Sequence, residues 1–257
     1  MQNSKLCVIG HPAAHSLSPK IHGGFITESG LSLTYTAVDV MPENLASFVT
    51  EARNEYLGFN VTMPHKRAII PLLDDLDETA AKLGSVNTVH NVGGKLGGYS
   101  TDGKGFLRSL NKRPESALVI GMGGAGTAVC VALSDAGVAV AGASRGVSDI
   151  AVNPLGFAVH NLESILKHEN MSALDLVVNA TPLGMNDSPQ WQDLSWLDRL
   201  NPKCVVYDLI YHPAETLLLH KAKERGLAAK NGLSMLYRQA ALSFEIWTGI
   251  KPYYRTA

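Results

Sequence analysis

Residues 116–137, SALVIGMGGAGTAVCVALSDAG, constrain this chain more than any other stretch. An apolar run ends in Gly121, Gly123 and Gly126 at GxGxxG spacing, and an apolar helical pattern follows. In such a strand–turn–helix unit the first glycine permits a tight turn. The second lets backbone approach a pyrophosphate, and the third lets the helix pack closely on the strand. The helix N-terminus then offers free N–H groups and the positive end of its dipole. Gly121, Gly123, Gly124, Ala125 and Gly126 are therefore expected to bind a dinucleotide. The plainer alternative is a glycine turn that serves packing alone.

The same alternation fills the rest of the chain. Strand-like runs are KLCVIG, LTYTAVDV, YLGFNVT, SVNTVHNV, SALVIG, VAVAGAS, LDLVVNA and KCVVYDLI. Amphipathic helices lie between them, such as PENLASFVTEARNE, with Pro42 suited to a first helical position. Strands alternating with helices imply parallel sheets with helical crossovers. The stretch NVGGKLGGYSTDGKGF carries six glycines and precedes a fresh βαβ pattern. A last helix, about 233–247, places Leu236, Ala240, Phe244 and Trp247 on one apolar stripe.

The expected fold is therefore two α/β domains. One is an N-terminal, mostly parallel sheet, residues 1–102 with 237–257, completed by the last helix packing back. The other is a Rossmann dinucleotide-binding domain, residues 103–236. A cleft between two such domains is where ligands usually bind.

Composition narrows the function. The 257 residues are 46% hydrophobic, and 22 basic against 23 acidic residues leave a net charge of −1. Nothing there predicts a nucleic-acid or membrane surface. Cys7, Cys130 and Cys204 are an odd number without CxxC spacing, which favours a reducing compartment and packing roles. The N-terminal apolar run is too short for a signal peptide, and no segment is long enough to span a bilayer. A soluble cytoplasmic protein is expected, as monomer or homodimer. His11, His15 and His22 lie close together, but HPAAH is interrupted by proline and lacks the tight spacing of zinc ligands, so no metal is expected. Trp191, Trp196 and Trp247 read as packing or surface residues, and DDLDET as an acidic helix start.

Cofactor choice turns on the strand VAVAGAS. NAD sites usually place Asp or Glu at its end, on the ribose 2′-hydroxyl. Here Ser144 and Arg145 stand there. An arginine suits a 2′-phosphate by charge and by its planar donor fork, so NADP is expected.

Residues 58–66, GFNVTMPHK, end an apolar strand in Asn60 and Thr62, and put Lys66 on the first turn after Pro64. Alone, such a lysine is usually solvated. Other polar strand ends change its meaning: Ser16 and Ser18 in HSLSP, Asn87 in SVNTV, Thr101 and Asp102 in YSTDG. They can converge at the carboxyl end of one sheet, and their hydroxyls and amides suit a small polyhydroxylated ligand.

With these motifs in order along nearly the whole chain, the sequence resembles the shikimate/quinate dehydrogenase family. The resemblance runs from GHPAAHSLSPKIH through GFNVTMPHK, SVNTV, STDGKG, GMGGAGTA, NATPLGM and DLIYHPAETLLL to NGLSMLYRQAALSFEIWTG. It implies reduction of 3-dehydroshikimate to shikimate with NADPH, a step towards chorismate and the aromatic amino acids. By matching position, Lys66 and Asp102 resemble the catalytic pair. Ser16 and Ser18 resemble the carboxylate-binding hydroxyls, with Tyr211 as helper, and Thr62, Asn87 and Gln239 the ring-hydroxyl contacts. Residues 179–185, with Thr181, resemble the loop beside the nicotinamide, and Gly232 a further cofactor contact. The implied chemistry is direct hydride transfer with proton transfer by Lys66.

The chain departs from the family pattern at four places. Gly23 and Ser100 stand where Asn is common, Gly146 follows Arg145 where Thr is common, and Asp149 stands near a common basic position. Two other readings stay open: a quinate dehydrogenase using NAD, and a weakly catalytic paralogue that senses NADP(H). The retained Lys66 and Asp102 argue against the sensor.

Overall fold

The computed structural model describes residues 4–14, 16–167, 169–186 and 188–253. The described residues up to Gly105, with those from Leu236 onward, form one compact unit, and Phe106–Met235 forms another.

The first unit runs β1 (Lys5–Gly10), α1 (Ser18–Ser29), β2 (Thr34–Asp39), α2 (Leu45–Glu55), β3 (Tyr56–Val61), α3 (His65–Ala68), β4 (Asp75–Leu76), α4 (Glu78–Leu83), β5 (Thr88–Val92) and β6 (Lys95–Tyr99). Its sheet has the order β2-β1-β3-β5-β6-β4. β1 is parallel to both β2 and β3, while β5 is antiparallel to β3 and β6. Most of the glycine-rich stretch before Asp102 is sheet. Gly93 and Gly94, both at positive φ (61° and 86°), make the two-residue turn between β5 and β6. Gly98 packs where an added Cβ would lie 2.6 Å from the Leu73 side chain and 2.9 Å from Val86. Within DDLDET the helix start falls at Asp77, whose carboxylate accepts from the Ala80 N–H at 2.7 Å and caps α4.

α5 (Asp102–Ser109) follows β6. The second unit continues with β7 (Ser116–Ile120), α6 (Gly124–Asp135), β8 (Ala139–Ser144), β9 (Ile150–Val152), β10 (Ala158–Asn161), α7 (Leu162–Lys167), β11 (Leu176–Asn179), β12 (Val205–Asp208), α8 (Leu217–Glu224) and β13 (Ala228–Lys230). The sheet order is β13-β12-β11-β7-β8-β10-β9, all parallel except the short edge strand β9. The order reverses direction at β7, so the turns after β7 and β11 sit at the switch point where open α/β sheets bind ligands. Its core holds the buried Trp191 and Trp196, with ring centroids 6.0 Å apart. The mostly parallel α/β class expected from the alternation is the one observed.

α9 (Leu233–Thr248) carries the apolar stripe expected of it. Ala240 and Phe244 pack with Ile21 and Phe25 of α1, and Trp247 is also buried. The Trp247 indole N–H donates to the Val89 carbonyl at 2.8 Å and lies directly over Gly58 of β3. A side chain at Gly58 would collide with that indole and with the Val89 carbonyl oxygen. Among the described residues no helix is long and apolar enough to cross a membrane. The three cysteines are free and buried, and burial pushes the Cys130 and Cys204 thiols up to about 12, which leaves them as protonated packing groups.

The contact at Gly58 makes a stability prediction. Gly58→Ala should cost about 1–3 kcal/mol through overpacking. In a Trp247→Leu background the same change should cost less, because the ring is gone, though the Val89 carbonyl, 2.6 Å from the added Cβ, keeps part of the cost. Equal costs in both backgrounds, measured by chemical denaturation, would remove the indole as the reason for this glycine.

Candidate active site

The polar strand ends of the first unit meet around Asn87. Its side-chain amide nitrogen lies 2.8 Å from the Thr101 hydroxyl, 2.9 Å from Asp102 Oδ1 and 2.9 Å from Gln239 Oε1. Its carbonyl oxygen accepts from the Thr101 N–H at 2.8 Å. Asp102 Oδ2 in turn receives Lys66 Nζ at 2.6 Å. The Lys66 side chain is 20% exposed and that of Asp102 only 6%, so the pair is shielded yet reachable at the amine.

Each member is held by its backbone. Lys66 follows Pro64 on the first turn of α3, as the spacing implied. That helix is only four residues long, so few peptide dipoles sum there, and Asp102 is the dominant partner of the amine. The Lys66 carbonyl accepts from Val86 N at 2.8 Å, and the buried His65 ring donates to the Val40 carbonyl at 2.6 Å. Gln239 reaches Asn87 because α9 comes against Gly105, where an added Cβ would lie 2.6 Å from Gln239 Cβ.

A second polar layer lies behind this group. Asn60 Nδ2 donates to the Asn87 carbonyl at 3.0 Å and to Ser243 Oγ at 3.0 Å, while its oxygen accepts from Tyr35 Oη at 2.7 Å. Ser243 Oγ is also 2.7 Å from Thr88 Oγ1. Thr88, Tyr35 and Ser243 did not stand out in the sequence. The spacing of four that puts Ser243 on the face of Gln239 is the signal that could have found it. His22 stacks on Tyr35 at 4.2 Å, fully buried. Burial lowers its pKa to about 3, which makes it a neutral packing ring.

Ser16 and Ser18 lie at the start of α1, with the Ser18 N–H donating to Ser16 Oγ at 3.2 Å. Their loop is tied down by Asp39, which accepts from Ala13 N at 3.0 Å and meets His11 Nδ1 at 3.1 Å. A further bond from His11 N to the Met63 carbonyl, 3.0 Å, joins it to the loop that leads into α3 and Lys66. Thr62 lies on that second loop with its methyl against Gly10. His15 lies outside the described residues. Among them, no three His, Cys, Asp or Glu side chains gather as metal ligands. The two family departures here are unlike. Gly23 opens onto free space, whereas Ser100 is buried.

In the second unit the carboxyl ends of β7, β8 and β11 come together. Gly121 has φ +101°, and an added Cβ there would lie 2.7 Å from Thr181 Cγ2. Gly126 packs against the Gly121 carbonyl so closely that no Cβ fits. Gly123 is the N-cap of α6 and has no side chain to cap it, so the first N–H groups, at Gly124 and Ala125, are left for a ligand. Ser144 ends β8 with its hydroxyl accepting from Gly146 N at 3.3 Å. Arg145 and Asp149 are both exposed beyond it. Gly232 follows β13 and packs on the Leu209 backbone, too tightly for any side chain.

The turn after β11 is joined to the segment after β12. Asn179 Nδ2 donates to Asp208 Oδ1 at 3.0 Å, and Asn179 Oδ1 accepts from Thr181 Oγ1 at 2.6 Å. Asp208 also accepts from Ile210 N at 3.1 Å and Thr216 Oγ1 at 2.7 Å. It is wholly buried, and burial raises its carboxyl to about 6 against the pull of these donors. Tyr211 is three residues past Asp208 and half-buried.

Residues 8–89 match the model of the shikimate dehydrogenase substrate binding domain, and residues 232–254 that of the shikimate 5'-dehydrogenase C-terminal domain. A shikimate dehydrogenase (NADP(+)) of Symbiobacterium thermophilum is 40% identical over 95% of this chain and 88% of its own. The solved shikimate 5-dehydrogenase of Thermus thermophilus, in complex with NADP(H) and shikimate, is 36% identical with a TM-score of 0.84, covering 97% of this chain and 95% of that one. A quinate dehydrogenase of Corynebacterium glutamicum in complex with NAD shares the fold at a TM-score of 0.84 and 29% identity, over 98% of this chain and 95% of that one. Full-length identity of this order, with Lys66, Asn87, Asp102 and Gln239 gathered at one point, means that the chain belongs to the shikimate dehydrogenase family.

Proposed function

We propose that this chain catalyses the reversible NADP-dependent reduction of 3-dehydroshikimate to shikimate. The observation that carries the reading is the Lys66–Asp102 pair, 2.6 Å apart and largely shielded, set beside the Asn87 and Gln239 amides in a member of this family. Ser16 and Ser18 hold the substrate carboxylate, helped by Tyr211. Thr62, Asn87 and Gln239 hold the ring hydroxyls. With three free buried thiols, a reducing cytoplasm is the compartment this chemistry suits.

NADP fits the second unit. A turn stripped of side chains at Gly121, Gly123 and Gly126 leads into an uncapped helix start, and Arg145 is exposed past β8. Gly124, Ala125 and Gly126 receive the phosphates. Ser144 and Arg145 receive the adenosine ribose with its 2′-phosphate. Thr181 and its loop flank the nicotinamide, and Gly232 keeps the neighbouring backbone close. NADPH, when bound, supplies the hydride.

The chain's own part is the proton. Lys66 Nζ gives it to the substrate carbonyl oxygen as the carbonyl carbon is reduced. Asp102 Oδ2 aims the amine and stabilises its charged form before transfer. In the reverse direction neutral Lys66 Nζ takes the hydroxyl proton. Asn87 fixes Asp102 through Oδ1, leaving Oδ2 for the lysine.

The decisive experiment follows absorbance of the reduced nicotinamide with shikimate and quinate, each with NADP and NAD. Shikimate with NADP should turn over fastest, and a preference for quinate with NAD would overturn the assignment. Lys66→Ala should lower kcat by roughly 10²–10⁴-fold, the usual worth of a general acid or base, with cofactor affinity kept. Near-normal turnover would take Lys66 out of the mechanism. Arg145→Ala should raise KM for NADP by about tenfold, as expected for one exposed charge-assisted contact, and leave KM for NAD alone. Equal effects on the two cofactors would mean that Arg145 does not meet the 2′-phosphate.

A further inference from the structure

The second unit contains an acidic group that the proton chemistry leaves unused. Asp208, at the end of β12, is fully buried. A carboxylate in such a place is costly unless it is bonded, and here three donors from two chain segments satisfy it. Ile210 N and Thr216 Oγ1 come from its own connection, and Asn179 Nδ2 comes from the end of β11.

Asn179 passes this fixation onward. With its amide nitrogen given to Asp208 and to the Leu183 carbonyl at 3.2 Å, its oxygen faces Thr181 and accepts from both Thr181 N (3.1 Å) and Thr181 Oγ1 (2.6 Å). Thr181 Oγ1 then accepts from Leu183 N at 3.2 Å. The loop also leans on the same connection by packing. Gly184, at φ +103°, lies where an added Cβ would be 3.4 Å from Thr216 Cβ and 3.8 Å from Ile210 Cδ1. Loop 179–185 is thus shaped by one carboxylate and the threonine that binds it.

We propose that Asp208 is a positioning residue for loop 179–185, and that its ionised form holds the loop ready for the nicotinamide end of the cofactor. The inference rests on the cofactor reading above. An ionised carboxylate can accept from Asn179, Ile210 and Thr216 together. A protonated one must donate once, and every partner facing it is a donor except the hydroxyl of Thr216, which would have to turn. Protonation therefore weakens the set that orients Asn179.

The pH at which this happens follows from burial, which raises the Asp208 carboxyl to about 6, with the three bonds opposing. No other charge intrudes among the described residues. β11 brings no ionisable side chain. On β13, Lys230 donates to the Ser109 carbonyl and lies 5.8 Å from the Tyr207 ring centroid, and Tyr207 Oη bonds Ser109 Oγ. On the connection His212 meets Asn186, and Glu215 pairs with Lys223. On α8, His220 and Lys221 pair with Glu224. Asp208 is thus ionised and the loop held above about pH 6, and both are lost as pH falls through that value.

The test compares dissociation constants of NADP⁺ and of 2′,5′-ADP, which lacks the nicotinamide, for wild type and Asp208→Asn by calorimetry at about pH 7.5 and 5.5. The ratio of variant to wild type is the quantity read, because the cofactor's own 2′-phosphate also titrates near 6. Asparagine imitates the protonated acid. The NADP⁺ ratio should be roughly three- to tenfold at the higher pH, the worth of about one weakened hydrogen bond, and fall to about a half to a third of that at the lower, where about a quarter of the carboxyl is still ionised. For 2′,5′-ADP it should be near one at both. An NADP⁺ ratio of one at the higher pH, or one that does not change with pH, or an equal ratio for 2′,5′-ADP, would overturn the proposal.

Wild type that binds neither molecule would overturn the cofactor reading itself, and this inference with it. If Asp208→Asn does not fold, Thr216→Val and Thr216→Ser decide. Valine should weaken NADP⁺ but not 2′,5′-ADP, serine should restore the wild-type value, and wild-type affinity in the valine variant would end the proposal.

Discussion

The polar groups buried at the sheet end of the first unit depend on the Asn87 amide, which satisfies several of them. It bonds Thr101, Asp102 and Gln239, and its backbone carbonyl receives Asn60. An unpaired buried donor or acceptor costs about 1–3 kcal/mol, so each of these groups is fixed by the others. The sheet end, the start of α5 and the middle of α9 are thereby locked into one arrangement. Lys66 completes the arrangement through Asp102, whose other oxygen Asn87 holds. Preorganisation of this kind is what a proton-transfer pair needs, since a misaimed amine loses much of its effect.

The second unit solves a different problem, how to bring backbone to a ligand. Its solution is removal of side chains. Gly121 meets Thr181 and Gly126 meets the Gly121 carbonyl, so β7, α6 and the turn after β11 approach within distances that a Cβ would forbid. What the first unit does with amides, this one does with bare N–H groups, which suits a phosphate better than any flexible side chain. Among the described residues, the two buried carboxylates follow the same division. Asp102 keeps one oxygen for a cation, whereas Asp208 gives both to neutral donors.

Local pattern made the scaffold legible. Strand–helix alternation, GxGxxG and the α9 stripe each depend on residues a few positions apart, and the elements appear where those patterns lie. The strands that pattern missed are short or glycine-rich. β9 has three residues at an exposed edge, and β6 reads KLGGY, whose Gly98 is there for packing against Leu73 and Val86. Site residues next to a motif were legible for the same reason. Those that depend on distant pairing were not. Ser243 lies 155 positions from Thr88, and Asp208 lies 29 from Asn179, so no spacing rule connects them. Gln239 was reached through family likeness, and its tie to Asn87 spans 152 positions.

The hydrogen count at Asn87 bears on what the site accepts. Its amide nitrogen has two hydrogens and faces three acceptors, Thr101 Oγ1, Asp102 Oδ1 and Gln239 Oε1. The Thr101 hydroxyl offers one more, but its reach to Gln239 is a long 3.4 Å. The Asn87 amide nitrogen thus faces one acceptor more than its two hydrogens can serve. A ligand that brings hydroxyl hydrogens relieves the shortage, while one that brings only acceptors worsens it. A ring carrying several hydroxyls, as in the proposed substrate, belongs to the first kind. The Lys66 amine is the strong donor facing this cluster, paired with Asp102 yet 20% exposed, and in the proposed reaction it is the group available to a substrate oxygen that arrives as a carbonyl without a hydrogen of its own.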